Sequence, residues 1–191
     1  MPVINGKTLL AKSPIRGMAS RKLKVHGRSY GLSEVGYDIR VKQDVDFIPP
    51  DPSWFTELTH NGQGNMTDSF YHELLRETFY GYTLVDGQRM LGRKALASTI
   101  EKFDMPPNLW GELRNKSTNV RQFFDATLGT DIEPGWRGWL TLEIVFHGTE
   151  RLTLPAGCPI AKVVFHEIVE PIPYEDKYQD QEDEPVPARL V

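Results

Sequence analysis

The chain has 191 residues, 39% of them hydrophobic and 25% charged, with a formal net charge of −4. This is enough to bury a sizeable core in one domain, and the composition is that of an ordinary soluble globular protein. The charge balance lacks the basic excess of a protein that binds nucleic-acid polymers, and the single cysteine, Cys158, excludes an internal disulfide and fits a reducing cytosol. Met1 to Leu10 has no apolar signal core and no run reaches membrane-spanning length, so a cytoplasmic protein without membrane contact is expected.

Up to about Ser29 the chain reads as basic and irregular, with Lys12, Arg16, Arg21, Lys22, Lys24 and Arg28. In the following GLSEVGYDIRV, Tyr37, Ile39 and Val41 alternate with Asp38, Arg40 and Lys42, a period of two that predicts a strand. Ile48 to Asp51 predicts a turn, His60 to Asp68 a flexible loop, and Ser69 to Phe79 a short helix capped by Asp68. From Tyr80 onward, β-rich runs alternate with Gly, Pro and Asn turns: GYTLV, KALASTIEKFDM, LWGELR, WLTLEIVF and IAKVVFHEIV. Many short strands and few helical stretches predict a mostly-β barrel or double-sheet fold. Tyr174 to Val191 is charged and carries prolines without apolar periodicity, so the chain divides into a domain, 1–173, and a mobile arm, 174–191.

Two stretches carry candidate chemistry. Lys116-Ser117-Thr118-Asn119-Val120-Arg121 combines two cations with two hydroxyls. If Ser117 or its neighbour caps a short helix, the free amides at its start and the Arg121 fork suit a polyphosphate. Ser117 and Arg121, four apart, share one helical face. A capped polar surface turn accounts for the same residues. Further on, Leu140, Leu142, Ile144 and Phe146 point to one side of a strand and Trp139, Thr141, Glu143 and Val145 to the other. The second side is half-apolar, so Glu143 sits either in a pocket, where it can work as a general base, or on an exposed amphipathic face.

Other chemistries lack their residues. A zinc nucleobase deaminase requires His-x-Glu followed by Pro-Cys-x-x-Cys, and His72-Glu73 and His166-Glu167 have the wrong spacing. His-Glu-x-x-His, a P-loop and a strand-GxGxxG-helix unit are also missing from the sequence, and Cys158 is expected to fill a small space beside Pro159 and Ile160.

The order of these motifs resembles the dCTP deaminases of the dUTPase superfamily. GLSEVGYDIRV is similar to their N-terminal G-x-S-x-x-GYD-x-R signature, and ALASTIEKFDMPPNLWGEL to their A-x-x-T-x-E-x-x-x-x-P-x-x-L-x-G run. KSTNVR matches the phosphate motif, IEPGWRGWLTLEI the hairpin, PAGCPIAKVVFHEI the closing strand, and PYEDKYQDQ the C-terminal lid. The resemblance implies a dUTPase-like distorted β-barrel, double-sheet and jelly-roll-like, with few short helices and a lid arm. It implies hydrolysis of dCTP to dUTP and ammonia in pyrimidine deoxynucleotide (dUTP/dTTP) metabolism. Glu143 would be the general base, with Ser117 and Arg121 positioning the water and the ring. Lys116, Ser117, Thr118 and Arg121 would meet the triphosphate, Glu133 the deoxyribose, and Thr130 the base-reading side. Tyr174, Lys177 and Gln181 would form the lid. No zinc is implied; Mg²⁺ would ride on the phosphates, and homotrimers would share their active sites. The arm departs from the family in its acids, Asp180, Glu182, Asp183 and Glu184. The rival functions are a dUTP pyrophosphatase or bifunctional deaminase/pyrophosphatase, and a non-catalytic nucleotide-sensing trimer. The absence of glycine after Gly157 argues against the Gly-rich tail of monofunctional dUTPases.

Overall fold

The computed structural model describes residues 2–48, 82–85, 88–91, 94–127, 129, 131–148 and 150–189. Short elements open the chain: β1 (Val3–Ile4), α1 (Gly6–Lys12), β2 (Lys22–Val25), β3 (Arg28–Leu32), β4 (Tyr37–Arg40) and β5 (Val45–Ile48). After them come β6 (Tyr82–Val85), β7 (Gln88–Leu91), β8 (Lys94–Asp104), β9 (Leu109–Asn115), a single helical turn α2 (Ser117–Val120), β10 (Phe124–Asp125) and β11 (Asp131–Ile132). The last strands are β12 (Arg137–Phe146), β13 (Leu152–Leu154) and β14 (Pro159–Glu167). The mostly-β expectation with few short helices is met. Of the turn expected at Ile48–Asp51, Ile48 closes strand β5 and the rest lies outside the described residues, as do the loop expected at His60–Asp68 and the helix expected at Ser69–Phe79.

The basic N-terminal stretch is more ordered than its composition suggested. In β2, exposed Lys22 and Lys24 alternate with half-buried Leu23 and Val25, a strand period that the lysines hide. A two-residue turn at His26 and Gly27, both at positive φ, closes the β2–β3 hairpin in the hand that strand twist favours.

The described strands form three antiparallel sheets. The largest runs β11-β9-β14-β4-β3-β2, with β1 also on β14; the others are β10-β12-β8 and β13-β5-β6-β7. They make a distorted double-sheet body and do not join into one closed ladder among the described residues. Side chains from all three meet in one core, including Phe47, Phe103, Phe124, Leu142, Ile144 and Phe165. Truncating any of the larger ones to alanine should cost about 2–5 kcal/mol.

Strand β4 departs from simple alternation, since Tyr37, Asp38 and Ile39 are all buried. It lies between β14 and β3, and Asp38 meets the lysines of two neighbouring segments, described below. Cys158 is buried, as expected, with the Arg28 guanidinium against its sulfur.

Candidate active site

The ladder between β12 and β8 carries Glu143 opposite Leu96. Leu142 and Ile144 on either side of it are buried, and Glu143 is half-buried on the opposite face. It opens into a cavity of about 440 Å³ whose walls include Thr141, Glu133, Trp136, Tyr174 and Gln181. Glu143 Oε2 accepts the Gly129 N–H at 3.1 Å. A Cβ at Gly129 would lie 2.7 Å from that same oxygen, so the backbone reaches the carboxylate only because no side chain intervenes. Of the two readings of Glu143, the pocket is the one realised.

The arm closes this cavity. Tyr174 N–H donates to Pro134 O at 2.8 Å, and the indole N–H of buried Trp136 donates to Tyr178 O at 2.7 Å. Gln181, only 7% exposed, runs beside Gly138 in a parallel bridge and donates its amide to Thr141 Oγ1. The Val186 N–H meets the same hydroxyl at 3.0 Å. Gly138, at φ 138°, has the Gln181 backbone where a Cβ would stand, at 2.6 Å. Any side chain there would push the arm away.

Two acids of the arm are spent on this docking. Asp180 makes a two-pronged pair with Arg137, both bonds at 2.9 Å, and Asp183 pairs with Lys42 at 2.8 Å. The Arg137 hydrogen bonds hold the Asp180 carboxyl below its ordinary value. Lys177 turns to the tail, its ammonium on Arg189 O at 2.8 Å, and it does not line the cavity.

The second predicted cluster lies elsewhere. Ser117, Thr118 and Arg121 are exposed on and just after α2, and none of them lines the Glu143 cavity. Of Ser117 and its neighbour, the cap position belongs to Lys116, and its side chain makes no capping bond. Buried Asn119 anchors the turn, its amide on Ile160 O of β14. Lys116 points inward, 2.6 Å from Asp38 Oδ2, with Lys162 3.8 Å from the other oxygen. Burial pushes the Lys116 ammonium below its ordinary pKa, against the pull of Asp38.

The structure therefore brings Glu143, Glu133, Tyr174 and Gln181 together and leaves Lys116, Ser117, Thr118, Arg121 and Lys177 outside that cavity. Thr130 lies outside the described residues. Sequence reasoning missed Thr141, Trp136 and Tyr178. Thr141 was within reach, two residues before Glu143 on the same strand face. The partners of Asp180 and Asp183 were not, because no local pattern links the tail to Arg137 or Lys42.

Comparison with known proteins places the chain among its relatives. Residues 15–168 match the family described as dCTP deaminase-like. The chain belongs to that family. It is 33% identical over 167 residues to a dCTP deaminase of Campylobacter curvus, covering 85% of this chain and 82% of that one. A dCTP deaminase of Roseiflexus castenholzii is 30% identical over 169 residues, covering 85% and 83%. Among solved structures, the 2'-deoxycytidine 5'-triphosphate deaminase from Agrobacterium tumefaciens gives a TM-score of 0.46 at 14% identity, covering 85% of this chain and 47% of that one. That likeness is too distant to carry an argument.

Proposed function

We propose that this protein is a dCTP deaminase, converting dCTP and water to dUTP and ammonia. The observation that carries the reading is Glu143, set in a cavity with a backbone amide on one carboxylate oxygen and the arm folded over the opening. Such a carboxylate, with its second oxygen left for water, suits general-base work. In the proposed reaction Glu143 takes a proton from the water that attacks cytosine C4. The tetrahedral adduct collapses as that proton passes to the departing amino group, and ammonia leaves with the C4–N4 bonding pair. Glu133, on the cavity wall, faces the deoxyribose, and Tyr174 and Gln181 cover the nucleotide.

The triphosphate is assigned to Ser117, Thr118 and Arg121, with Lys116 adding charge at the base of the cluster. Because these residues stand outside the Glu143 cavity, the assignment requires a neighbouring copy to supply them, as in a homotrimer with shared sites. The guanidinium and the ammonium are donors without lone pairs to offer, so they suit anionic oxygens and repel a cation. Mg²⁺ accordingly belongs to the substrate, carried on its phosphates. The arm, 174–191, is assigned the part of a lid, and the cytoplasm is the proposed location. No helix among the described residues is long and apolar enough to cross a membrane.

The test is to incubate the pure protein with dCTP and Mg²⁺ while measuring ammonia and pyrophosphate separately. Ammonia alone is the expected result. Pyrophosphate in addition would make the enzyme bifunctional, pyrophosphate from dUTP alone would make it a pyrophosphatase, and neither product would leave a nucleotide-sensing protein.

A further inference from the structure

Buried polar side chains gather at one irregularity in the strand that pairs with β12. Gln43, Ser98, Thr99 and Glu101 are all buried there. Trp139 pairs with Lys102 and Thr141 with Ser98, so Leu140 alone stands opposite Thr99, Ile100 and Glu101. A bulge of this kind strips backbone groups of their ladder partners, and buried backbone groups need replacements. Each finds one. The Leu140 N–H donates to Thr99 Oγ1 at 3.1 Å, and the Thr99 hydroxyl donates to Glu101 O at 2.8 Å. The Ser98 N–H donates to Gln43 Oε1 at 2.8 Å. The Glu101 carboxylate accepts the Arg40 backbone N–H and the Arg40 Nε, each at 2.8 Å.

We infer that Thr99 is a positioning residue for Glu143, acting through Leu140 and resting on the deaminase reading above. Thr99 is fully buried and does not line the cavity, so it has no route to substrate of its own. Its hydroxyl is the only side-chain group bonded to the Leu140 N–H among the described residues, and it ties that amide to the bulge from both sides. Immediately beyond the clasp come Thr141 and Glu143, which share one strand face and both line the cavity. Thr141 also receives Gln181 and Val186 of the arm. A shift of β12 at Leu140 therefore displaces the proposed base and the arm's anchor together. Valine matches the volume of threonine but offers the Leu140 N–H no acceptor, whereas serine keeps the acceptor.

The experiment compares Thr99→Val and Thr99→Ser in the full chain, reading kcat and KM for ammonia release from dCTP and hydrogen exchange of the Leu140 amide. Thr99→Val should lower kcat on the order of 10- to 100-fold, the size of effect that small misplacement of a reacting group produces. Leu140 should exchange faster in the same variant, while Thr99→Ser stays close to the parent in both readouts. Phe165→Leu, a core change on β14, serves as a control that lowers the melting temperature and spares kcat. Parental kcat or parental Leu140 exchange in a folded Thr99→Val protein overturns the inference. If that variant does not fold, Thr99→Cys, with a weaker acceptor of similar size, decides: an intermediate kcat supports the clasp and a parental kcat overturns it. Should the parent release no ammonia, the deaminase reading fails, and Leu140 exchange still decides whether Thr99 sets the strand.

Discussion

Glu143 and the α2 cluster are presented by this chain in opposite ways. Around Glu143 the chain supplies a wall of its own: the carboxylate is half-buried, Gly129 binds one oxygen, and Tyr174, Tyr178 and Gln181 come back from the far end of the sequence to cover it. On α2 the chain supplies anchoring alone. Asn119 and Lys116 are turned inward, onto Ile160 O and Asp38, while Ser117, Thr118 and Arg121 face outward, away from that cavity. The apolar side chains Val120 and Phe123 beside them are 53% and 65% exposed. On the assignment proposed above, the Glu143 pocket and the outward-facing α2 residues are two halves of a site. The difference teaches that, on the proposed phosphate assignment, one copy alone does not complete the site.

The largest expected effect is at the finished half. Glu143→Gln keeps the size and the Gly129 hydrogen bond but deletes the base, so ammonia release should fall roughly 10²- to 10⁴-fold with nucleotide binding retained. Near-normal turnover would remove the base assignment altogether. At the exposed half, Arg121→Ala deletes a charge-assisted fork and should raise the dCTP requirement about 10- to 100-fold. Arg189→Ala, which loses contacts to Lys177 and Tyr178 in the tail, should do much less. Equal, small effects of the two would dissolve the contrast between clamp and tail.

Mixing sharpens the comparison further. Co-refolded Glu143→Gln and Arg121→Ala chains should release more ammonia at low dCTP than either gives alone, because a shared site can take its base from one copy and its clamp from another. No gain on mixing, or a monomer by light scattering, would put both halves back into one chain and contradict the shared-site proposal.

The arm is the remaining variable, and its effects should be smaller. Ending the chain after Pro173 removes the cover from a folded body and should raise the dCTP requirement and lower turnover, with far-UV circular dichroism unchanged. Full activity of the truncated chain would make the arm passive. The smallest effect concerns its ion pairs. Asp180 is held below its ordinary pKa by Arg137 in the docked state, so its contribution to docking is present above the free carboxylate pKa and is lost as pH falls through the depressed value. Arm amides should therefore exchange faster below about pH 4, after correction for the intrinsic rate, and faster in high salt at neutral pH. Asp180→Asn should mimic acid and flatten both responses, and an unchanged pH response in that variant would assign it to another group.

The sequence by itself determined the longer strands and the chemistry-bearing motifs. The alternation through Leu142, Glu143 and Ile144 placed the carboxylate opposite the core face, and the motif order from Gly31 to Gln181 pointed to the family. Those features are local, and a strand period or a hexapeptide is legible wherever it occurs. The N-terminal β2 escaped notice because lysines on its exposed face dominated the composition. Only the tertiary structure decided that Lys116 is tied down by Asp38, that Thr99 clasps Leu140, and that Asp180 and Asp183 meet Arg137 and Lys42. The members of the first and third of these sets are joined across 78, 43 and 141 positions of chain, and Thr99 and Leu140 across 41. Such pairings depend on which strands lie side by side, and side-chain type alone leaves each charge or hydroxyl with many possible partners.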